Sequence, residues 1–384
     1  MSTPTYYSAA QFSASPPPRT FGQFGPPSDT GRLQPRFHGS AWTLFGIEIV
    51  NWLLTMITLG IYSCWAKVRV RHFIYNQTEF AGDRLTYHGT GRELFIGLLK
   101  LLAFGVMAAV VLGGIGWILP TEIKGLVIVF TYLTGLGLIP FALWGGRRYQ
   151  MSRTSWRGIR FSFRGSLQEC YELYLLGGLL TVLTLGCYYP WFRANLRHYW
   201  LTHTYFGNTP FTYNGSGSEL FTIYLRYWLG MLACLVFAIF TIMSIGGLAM
   251  MSGGSMPRAG MAFWIIVAML GVYVGIPMIG VLMAAAEHRF HWSHTQFTGI
   301  RFESSVSGGG LLLRKILQGL ALALTAGLAF AWVQIDTLRF YYERLALLGE
   351  PDFAKIDQEA RETPTATAEG LADAFDVDVG FGVA

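Results

Sequence analysis

The stretches TLGIYSCW at residues 58–65 and TLGCYYPW at residues 184–191 decide the fold. Each one lies where a long apolar run ends and a basic run begins. Both belong to a gapless repeat in which residues 37–95 align with residues 163–221, and 22 of the 59 aligned positions are identical. The shared Gly predicts the end of a helix, and the shared Tyr and Trp are typical of the boundary between lipid and water. A repeat of this length predicts that the chain contains duplicated structural units.

The composition predicts a polytopic, mainly α-helical membrane protein. Of the 384 residues, 52% are apolar and only 13% are charged, whereas soluble proteins carry roughly 25% charged residues. The apolar residues are concentrated in seven runs, at 42–62, 94–119, 125–146, 170–190, 220–251, 260–286 and 311–332. A hydrocarbon core of about 30 Å needs about 20 such residues. The net charge of +6 is carried by loop Lys and Arg, which predicts contact with anionic membrane lipids and not with nucleic acid.

The repeat and the apolar runs together predict two tandem three-helix membrane repeats. They occupy residues 37–162 and 163–303, and a last transmembrane helix with an extension covers residues 304–348. A Pro-, Ser- and Gly-rich segment at 1–36 is expected to be a disordered tail, and residues 349–384 form an acidic C-terminal tail. With three crossings in each repeat, the second repeat would be inverted relative to the first.

The loop charges favour the inverted arrangement. Lys and Arg number five in loop 63–93 and six in loop 147–168, but two in each of the equivalent loops 191–219 and 287–310. Because positive residues collect in cytoplasmic loops, this pattern places the first-repeat loops and the acidic tail in the cytoplasm and the N-terminal tail outside. In the alternative arrangement, the first run of each repeat lies in the interface or re-enters, and all of these loops assemble on one side.

A smaller unit predicts four short β-hairpins between the helices. It reads Thr-x-aromatic-x-Gly, or Asn in place of Gly, with an apolar residue three positions further on. Alternation at period two around a Gly or Asn is typical of two short strands and a tight turn. The copies begin at Thr78, Thr154, Thr204 and Thr295.

These stretches resemble the YjgN family of bacterial inner-membrane proteins, a domain-of-unknown-function family. The TLG-x-Y-x-x-W, F-x-Y-x-G-x-G and GIRF stretches carry the resemblance, which covers roughly residues 35–350. The resemblance implies an integral, multi-pass protein of the inner (cytoplasmic) membrane. It implies no activity, substrate or catalytic residue.

Two sets of repeated basic residues are candidates for binding anions. Lys100 and Arg226 are repeat equivalents, and each lies a few residues inside a membrane helix. In an inverted repeat they would flank an anionic substrate or headgroup from both sides of the midplane; the alternative is that they reach back to the interface. The pairs Arg71–His72 and Arg197–His198 recur at a membrane boundary, where guanidinium groups can bind phosphate or fix the depth of a helix.

Glu48 and Asn51 are candidate polar groups inside an apolar helix, on which they share a face. Membrane carboxylates are costly and often functional, but Glu48 has no acidic equivalent in the second copy, so a contact between helices is the other interpretation. The sequence EHRFHWSH contains His288, His291 and His294. Two of the three replace arginines of the earlier copy, which predicts headgroup-facing or hydrogen-bonding groups and no metal site. No catalytic motif or cofactor-binding motif is present, so no enzyme activity and no cofactor are expected.

Two hypotheses for the function follow. The first is transport or handling of an anionic solute or lipid by an inverted-repeat helical bundle. The alternative is a non-catalytic membrane scaffold or accessory subunit that docks a partner through its hairpins and through the alternating segment Phe375–Val383, which could add to a sheet as a strand.

Overall fold

The computed structural model describes residues 32–118, 120–251, 258–349 and 356. The helices are α1 (Ala41–Ile57), α2 (Ser63–Gln77), α3 (Gly91–Ile118), α4 (Thr121–Ser152), α5 (Leu167–Leu183), α6 (Tyr189–Thr202), α7 (Gly217–Met251), α8 (Arg258–Leu270), α9 (Ile276–Ser293), α10 (Gly308–Leu324) and α11 (Phe330–Glu343), and the π-helical turn Gly271–Gly275 joins α8 to α9. The N-terminal segment before residue 32 and the predicted strand Phe375–Val383 lie outside the described residues.

Short strands lie between the helices. They are β1 (Arg32–Leu33), β2 (Arg36–Phe37), β3 (Thr78–Phe80), β4 (Asp83–Tyr87), β5 (Thr154–Trp156), β6 (Ile159–Phe163), β7 (Thr204–Phe206), β8 (Thr209–Pro210), β9 (Thr212–Tyr213), β10 (Thr295–Phe297), β11 (Ile300–Ser304) and β12 (Leu345–Leu348). The four predicted hairpins are present as β3–β4, β5–β6, β7–β8 and β10–β11. The Thr that begins each hairpin donates its hydroxyl to the carbonyl four residues earlier and so links the preceding helix to the strand.

The helices form five consecutive antiparallel pairs. Pairs 1, 3 and 5 are short and consist of α1–α2, α5–α6 and α10–α11, whereas pairs 2 and 4 are long and consist of α3–α4 and α7–α8–α9. The same backbone hydrogen bond closes the base of every pair, from the residue three positions before its first helix to the last residue of its second helix or the residue after it. The five bonds are His38 N to Gln77 O at 2.9 Å, His88 N to Arg153 O at 2.7 Å, Arg164 N to His203 O at 2.9 Å, Asn214 N to His294 O at 3.0 Å and Ser305 N to Arg344 O at 2.8 Å.

Serine residues start three of the pairs in the same way. The hydroxyls of Ser166, Ser216 and Ser307 accept the backbone N–H three residues later, at 3.2, 3.3 and 3.2 Å. This is the standard N-cap arrangement, which satisfies one of the free N–H groups of a helix start. The Gly-Ser or Val-Ser dipeptide at these positions therefore fixes where each chain segment leaves the strands and becomes helical.

The strands form a closed ring, hereafter the strand ring. One sheet has the order β2-β3-β4-β5-β6-β7-β8 and the other the order β1-β12-β11-β10-β9. The segments 32–37 and 209–213 each belong to both sheets, because β1 continues into β2 and β8 into β9. The succession of antiparallel strands therefore returns to its start, and the four strands at the ends of the two sheets, β1, β2, β8 and β9, have one strand partner each.

Apolar side chains fill the strand ring. The third residue of each strand that follows a helix pair points to the shared core: Phe80, Trp156, Phe206, Phe297 and Leu347. Neighbouring aromatic rings of this set are 5.2, 5.5 and 6.2 Å apart between centroids, which is the range of favourable aromatic contacts. The ring is therefore a packed core and not a water-filled channel.

A second circle of hydrogen bonds joins each helix pair to the next. The second helix of every pair donates a side-chain N–H to a carbonyl of the linker that leads into the following pair. The contacts are His72 to Gly89 at 3.1 Å, Trp144 to Gly165 at 2.8 Å, His198 to Tyr213 at 3.1 Å, Arg289 to Val306, and Arg339 to Gly39 at 2.8 Å. The last of these joins pair 5 to pair 1, so the helices close around the same axis as the strands.

The structure corrects the predicted number of membrane crossings. Within the described part of the chain, four helical stretches are long and apolar enough to cross a bilayer: Gly91–Gly114, Lys124–Ser152, Gly217–Ile245 and Gly260–Ser293. The other three predicted spans, 42–62, 170–190 and 311–332, each run across a turn between two helices of a short pair. The apolar composition of these runs was right, but each one bends before it reaches the length of a span.

The predicted inversion of the second repeat is also wrong. Strand β6 of the first copy pairs with β7 of the second, with Phe161 opposite Phe206 and Phe163 opposite Thr204. Paired strands lie about 4.8 Å apart, whereas the two faces of a bilayer are separated by a core of about 30 Å. The hairpins of both copies therefore lie on one side, as in the alternative arrangement.

Candidate membrane and lipid interface

The three short helix pairs have the same turn. In pair 1, Leu59 and Gly60 have φ angles of 50° and 91°, and the equivalent residues have 50° and 91° in pair 3 and 49° and 89° in pair 5. Such left-handed conformations favour glycine at the second position. The turn of pair 5, Thr325-Ala326-Gly327, is thus a third copy of the TLG junction, although its sequence keeps only Thr, Gly and the later Trp332.

The backbone N–H groups of the turn need no hydrogen bonds to water. In pair 1 the backbone N–H groups of residues 58–63 all have acceptors within the turn, and the hydroxyl of Thr58 both accepts from Tyr62 N at 3.0 Å and donates to Leu54 O at 2.7 Å. At the same time the Leu59 and Leu185 side chains are 93% and 95% exposed. An apolar, self-satisfied turn is suited to contact with lipid, where unpaired polar groups are costly.

The Trp that follows each of these turns, at the same distance from the Gly, packs against a neighbouring helix pair. Trp65 contacts Phe95 of α3 with ring centroids 5.3 Å apart, and Trp191 contacts Phe221 of α7 at 4.8 Å. The tryptophan of each short pair thus packs on the first turns of the next helix pair. It positions the turn beside the start of a long helix, while its place at the boundary between lipid and water stays a prediction.

Lys100 and Arg226 are exposed at equivalent places on the two long pairs. Each lies nine residues beyond the first residue of its helix, Gly91 or Gly217. Neither has a hydrogen-bond or ion-pair partner among the described residues. Both lie toward the strand ring, and not on opposite sides of the midplane as an inverted repeat would require. Since the chain after each of them is free of charged residues to the end of the helix, they mark the ring-side boundary of the hydrocarbon.

Arg226 lines an open groove of about 350 Å³ between α7, α9 and β11. The lining residues are Ile223, Arg226, Tyr227, Ala286, Arg289, Phe290, Ser293, Glu303 and Ser304. Two guanidinium groups, several hydroxyls and a carboxylate thus line the same groove as apolar side chains. This combination suits a ligand that is charged at one end and apolar at the other.

The repeated Arg–His pairs make contacts within the protein. His72 and His198 donate to linker carbonyls, as described above, and Arg71 donates to the Tyr87 hydroxyl at 3.5 Å. The Arg197 guanidinium lies over the Trp292 ring, 5.4 Å from its centroid. Loss of solvent around Arg197 lowers its pKa to about 10, so it stays charged at neutral pH. These four residues connect neighbouring elements, and a role for them in headgroup binding stays a prediction.

Glu48 and Asn51 belong to helix α1. Asn51 is buried and donates to the Ala66 carbonyl of α2 at 3.4 Å, while its own Oδ1 has no partner in the described residues. Glu48 is half-buried. The Asn51 contact joins the two helices of pair 1, which agrees with the interpretation of Asn51 as a helix contact, while the role of Glu48 stays a prediction.

A buried polar network between α6, α7 and α9 is absent from the sequence predictions. Glu287 accepts from Arg193 Nη2 at 2.8 Å, from the Tyr224 hydroxyl at 2.7 Å and from His291 at 3.3 Å. His291 in turn contacts the Tyr213 hydroxyl at 2.8 Å. His291 is therefore a buried group with a hydrogen-bonding role, and it is the one of the three histidines that replaces a glutamine, Gln150, and not an arginine of the earlier copy. In the earlier copy, the position of Glu287 is Gly146, so the repeat gave no signal for it.

Comparison with known proteins identifies the family. The family model described as "Bacterial protein of unknown function (DUF898)" matches residues 32–374. The chain belongs to the DUF898 family. The family match includes all five helix pairs and the whole strand ring. The predicted resemblance is thereby confirmed.

Relatives of this DUF898 chain carry a name that gives their location. The inner membrane protein YjgN of Salmonella typhimurium is 24% identical over 379 residues, which cover 85% of this chain and 91% of that relative. The inner membrane protein YjgN of Escherichia coli O157:H7 is 31% identical over 150 residues, which cover 39% of this chain and 36% of that relative. No solved structure shows a significant match. With its four long apolar helices, the chain is an inner-membrane protein, as predicted.

Proposed function

We propose that this inner-membrane protein binds and handles anionic phospholipid at the ring-side boundary of the bilayer. The observation that carries the proposal is the groove in which the exposed, unpartnered Arg226 lies beside Arg289. A guanidinium group matches the oxygens of a phosphate with two parallel hydrogen bonds. Arg289 is already fixed by its bond to the Val306 carbonyl, so one of the two cations is held in place before a ligand binds.

The composition of the groove favours a lipid over a soluble anion. Ile223 and Phe290 offer apolar contacts next to the cations, while Tyr227 and Ser293 offer hydroxyls. The strand ring is filled with aromatic side chains, so its axis offers no aqueous route for a solute. A lipid, by contrast, would reach the groove by diffusion within the leaflet.

Binding of anionic lipid should weaken when the two equivalent cations are removed. Each Lys or Arg near an anionic surface contributes about 1 kcal/mol, so Arg226→Gln should lower the affinity for phosphatidylglycerol about fivefold, and adding Lys100→Gln should lower it further. The measurement is a lipid titration of the purified protein in nanodiscs by native mass spectrometry. Raising the salt concentration should reduce the difference between the variants.

Lys124→Gln is the matched control, because Lys124 is an exposed lysine at the opposite end of a long pair. It should change the affinity much less than Arg226→Gln does. Equal losses from Arg226→Gln and Lys124→Gln would show unspecific attraction by net charge, and an unchanged affinity in the Lys100→Gln, Arg226→Gln double variant would refute the proposal.

The scaffold hypothesis receives less support from the fold. A partner that adds a strand needs an unpaired edge of some length, whereas the strands at the ends of the two described sheets, β1, β2, β8 and β9, are two residues long. Docking through Phe375–Val383 stays a prediction, since that segment lies outside the described residues. Its test is deletion of residues 372–384 followed by a search for a lost co-purifying protein.

A further inference from the structure

We infer that the three short helix pairs contact the acyl chains of the cytoplasmic leaflet and not those of the outer leaflet. The apolar turns of pairs 1, 3 and 5 enter this leaflet from the side on which the strand ring lies. This inference concerns the membrane arrangement and stands apart from headgroup binding.

The first argument is the level at which the short pairs end. The turn end of α2 packs on the first turns of α3, because Cys64 and Trp65 belong to one cluster with Leu94, Phe95 and Leu98. Beyond this contact α3 continues from residue 99 to residue 118. Those 20 residues rise about 30 Å, which is the thickness of the hydrocarbon core. The turn of pair 1 therefore lies where α3 begins to cross the bilayer.

Pair 3 ends at the same level beside the second long pair. Tyr189 lies 5.8 Å from Tyr224 of α7, and Tyr224 in turn lies 5.6 Å from Trp228 between ring centroids. Helix α7 continues beyond Trp228 to residue 251, which is 23 residues or about 34 Å. Both long pairs thus provide a full span beyond the point where the neighbouring short pair turns back.

The second argument is the chemistry of the turns. Leu59 and Leu185 are almost fully exposed, and in pair 5 Leu324 and Leu328 are 87% and 58% exposed. The Thr hydroxyl caps the turn in all three pairs, since Tyr62, Tyr188 and Ala329 donate their backbone N–H to it at 3.0, 2.9 and 3.0 Å. Three apolar turns around one ring, each with its backbone N–H groups paired, match the acyl region of a leaflet and not water.

The third argument assigns the side. Among the described residues, Lys124 and Arg258 are the two Lys or Arg residues at the far ends of the long pairs, in the first turns of α4 and α8. The cations of the described strands and of their neighbouring helix ends lie on the ring side. By the positive-inside rule the strand ring therefore faces the cytoplasm. This assignment replaces the predicted external position of loops 191–219 and 287–310.

The exposed Cys187 in the turn of pair 3 provides a native probe. In a variant with Cys64, Cys170 and Cys234 replaced by Ser or Ala, Cys187 is labelled with bimane, and the protein is reconstituted in vesicles that contain brominated lipids. Quenching should be strongest with bromine near the headgroup end of the acyl chain and weaker with bromine near the methyl end. In intact cells, a membrane-impermeant maleimide should not label Cys187 from outside.

Two further cysteine variants in the same background report which side of the membrane each end of the protein faces. Asn208→Cys in a hairpin turn should react only from the cytoplasmic side, and Lys124→Cys only from outside. Reaction of Cys187 from outside would show that pair 3 spans the membrane. Strongest quenching near the methyl ends would place the turn at the midplane, and no quenching would place it outside the bilayer; each of these results overturns the inference. If the three cysteine replacements prevent folding, the same quenching is measured on the bimane-labelled parent protein and on its Cys187→Ser variant, and the difference between the two reports the depth of the turn.

Discussion

Replacing Glu287 with alanine should destabilise the protein by about 1–3 kcal/mol, the cost of leaving buried hydrogen-bonding groups without their acceptor. The carboxylate holds Arg193, the Tyr224 hydroxyl and His291 together, and its side chain is only 13% exposed. Without it the Arg193 guanidinium remains between the helices with no counter-charge. The measurement is thermal unfolding of the purified variant in detergent, and the expected result is a large drop in the unfolding midpoint.

Glu172→Ala is the matched control, since Glu172 is exposed and its hydrogen bond to Gln168 lies on the surface. It should change stability by less than about 0.5 kcal/mol. The double variant Arg193→Met, Glu287→Leu should be more stable than Glu287→Ala alone, because it removes the unpaired charge as well. If Glu287→Ala unfolds at the temperature of the parent protein, the network has no structural role.

Gly217→Ala should destabilise the protein by about 1–3 kcal/mol through overpacking, although an alanine in a helix normally adds up to about 1 kcal/mol of stability over glycine. A Cβ at Gly217 would lie 2.9 Å from the Trp191 Cα, and one at Gly91 would lie 2.9 Å from the Trp65 Cα. Backbone atoms cannot move aside as a side-chain tip can, so α6 and α7 would have to separate. The measurement is again the midpoint of thermal unfolding.

Gly105→Ala and Gly280→Ala are the controls, because a Cβ at either position meets no atom within 4 Å. These two substitutions should leave the midpoint of thermal unfolding unchanged or raise it, whereas Gly217→Ala should lower it. Gly91→Ala should behave like Gly217→Ala. Stabilisation by all four substitutions would mean that the short and long pairs do not pack as closely as described.

Local features of the fold could be predicted from the sequence. The hairpins follow from alternation around a Gly or Asn, and the end of α1 follows from the TLG junction, because a turn with a positive φ angle leaves a mark in a few neighbouring residues. The third copy of the junction was missed. It keeps only Thr325, Gly327 and Trp332, which is enough to fix the same turn but too little to stand out in an alignment.

The pairing between hairpins could not be predicted in the same way. The contact between β6 and β7 joins residues of two different copies, and no local pattern encodes which hairpin is its neighbour. Counting Lys and Arg then misled the assignment of sides. The second copy replaces Arg147 and Arg153 with His288 and His294, so the same side of the protein carries fewer arginines and lysines there.

The candidate site was predicted in part. The equivalence of Lys100 and Arg226 identified two exposed cations at the correct level of their helices, because a basic residue in an apolar run is a strong signal. The groove and the Glu287 network depend on which helices are neighbours. Arg193 and Glu287 are 94 positions apart in the chain, and only the circular order of the helix pairs brings them together.

The closure of the strand ring has a consequence for the order in which the chain can be assembled. Strand β1 pairs with β12, with Leu33 opposite Leu347. One of the first strands to leave the ribosome therefore stays without this partner until one of the last strands has been synthesised. Until then the strands form an open arc, and the strand at each end has an unpaired edge that can pair with a strand of another chain. Biogenesis should therefore be most vulnerable just before the final pair is made, and truncations upstream of residue 345 should yield aggregates and not smaller rings.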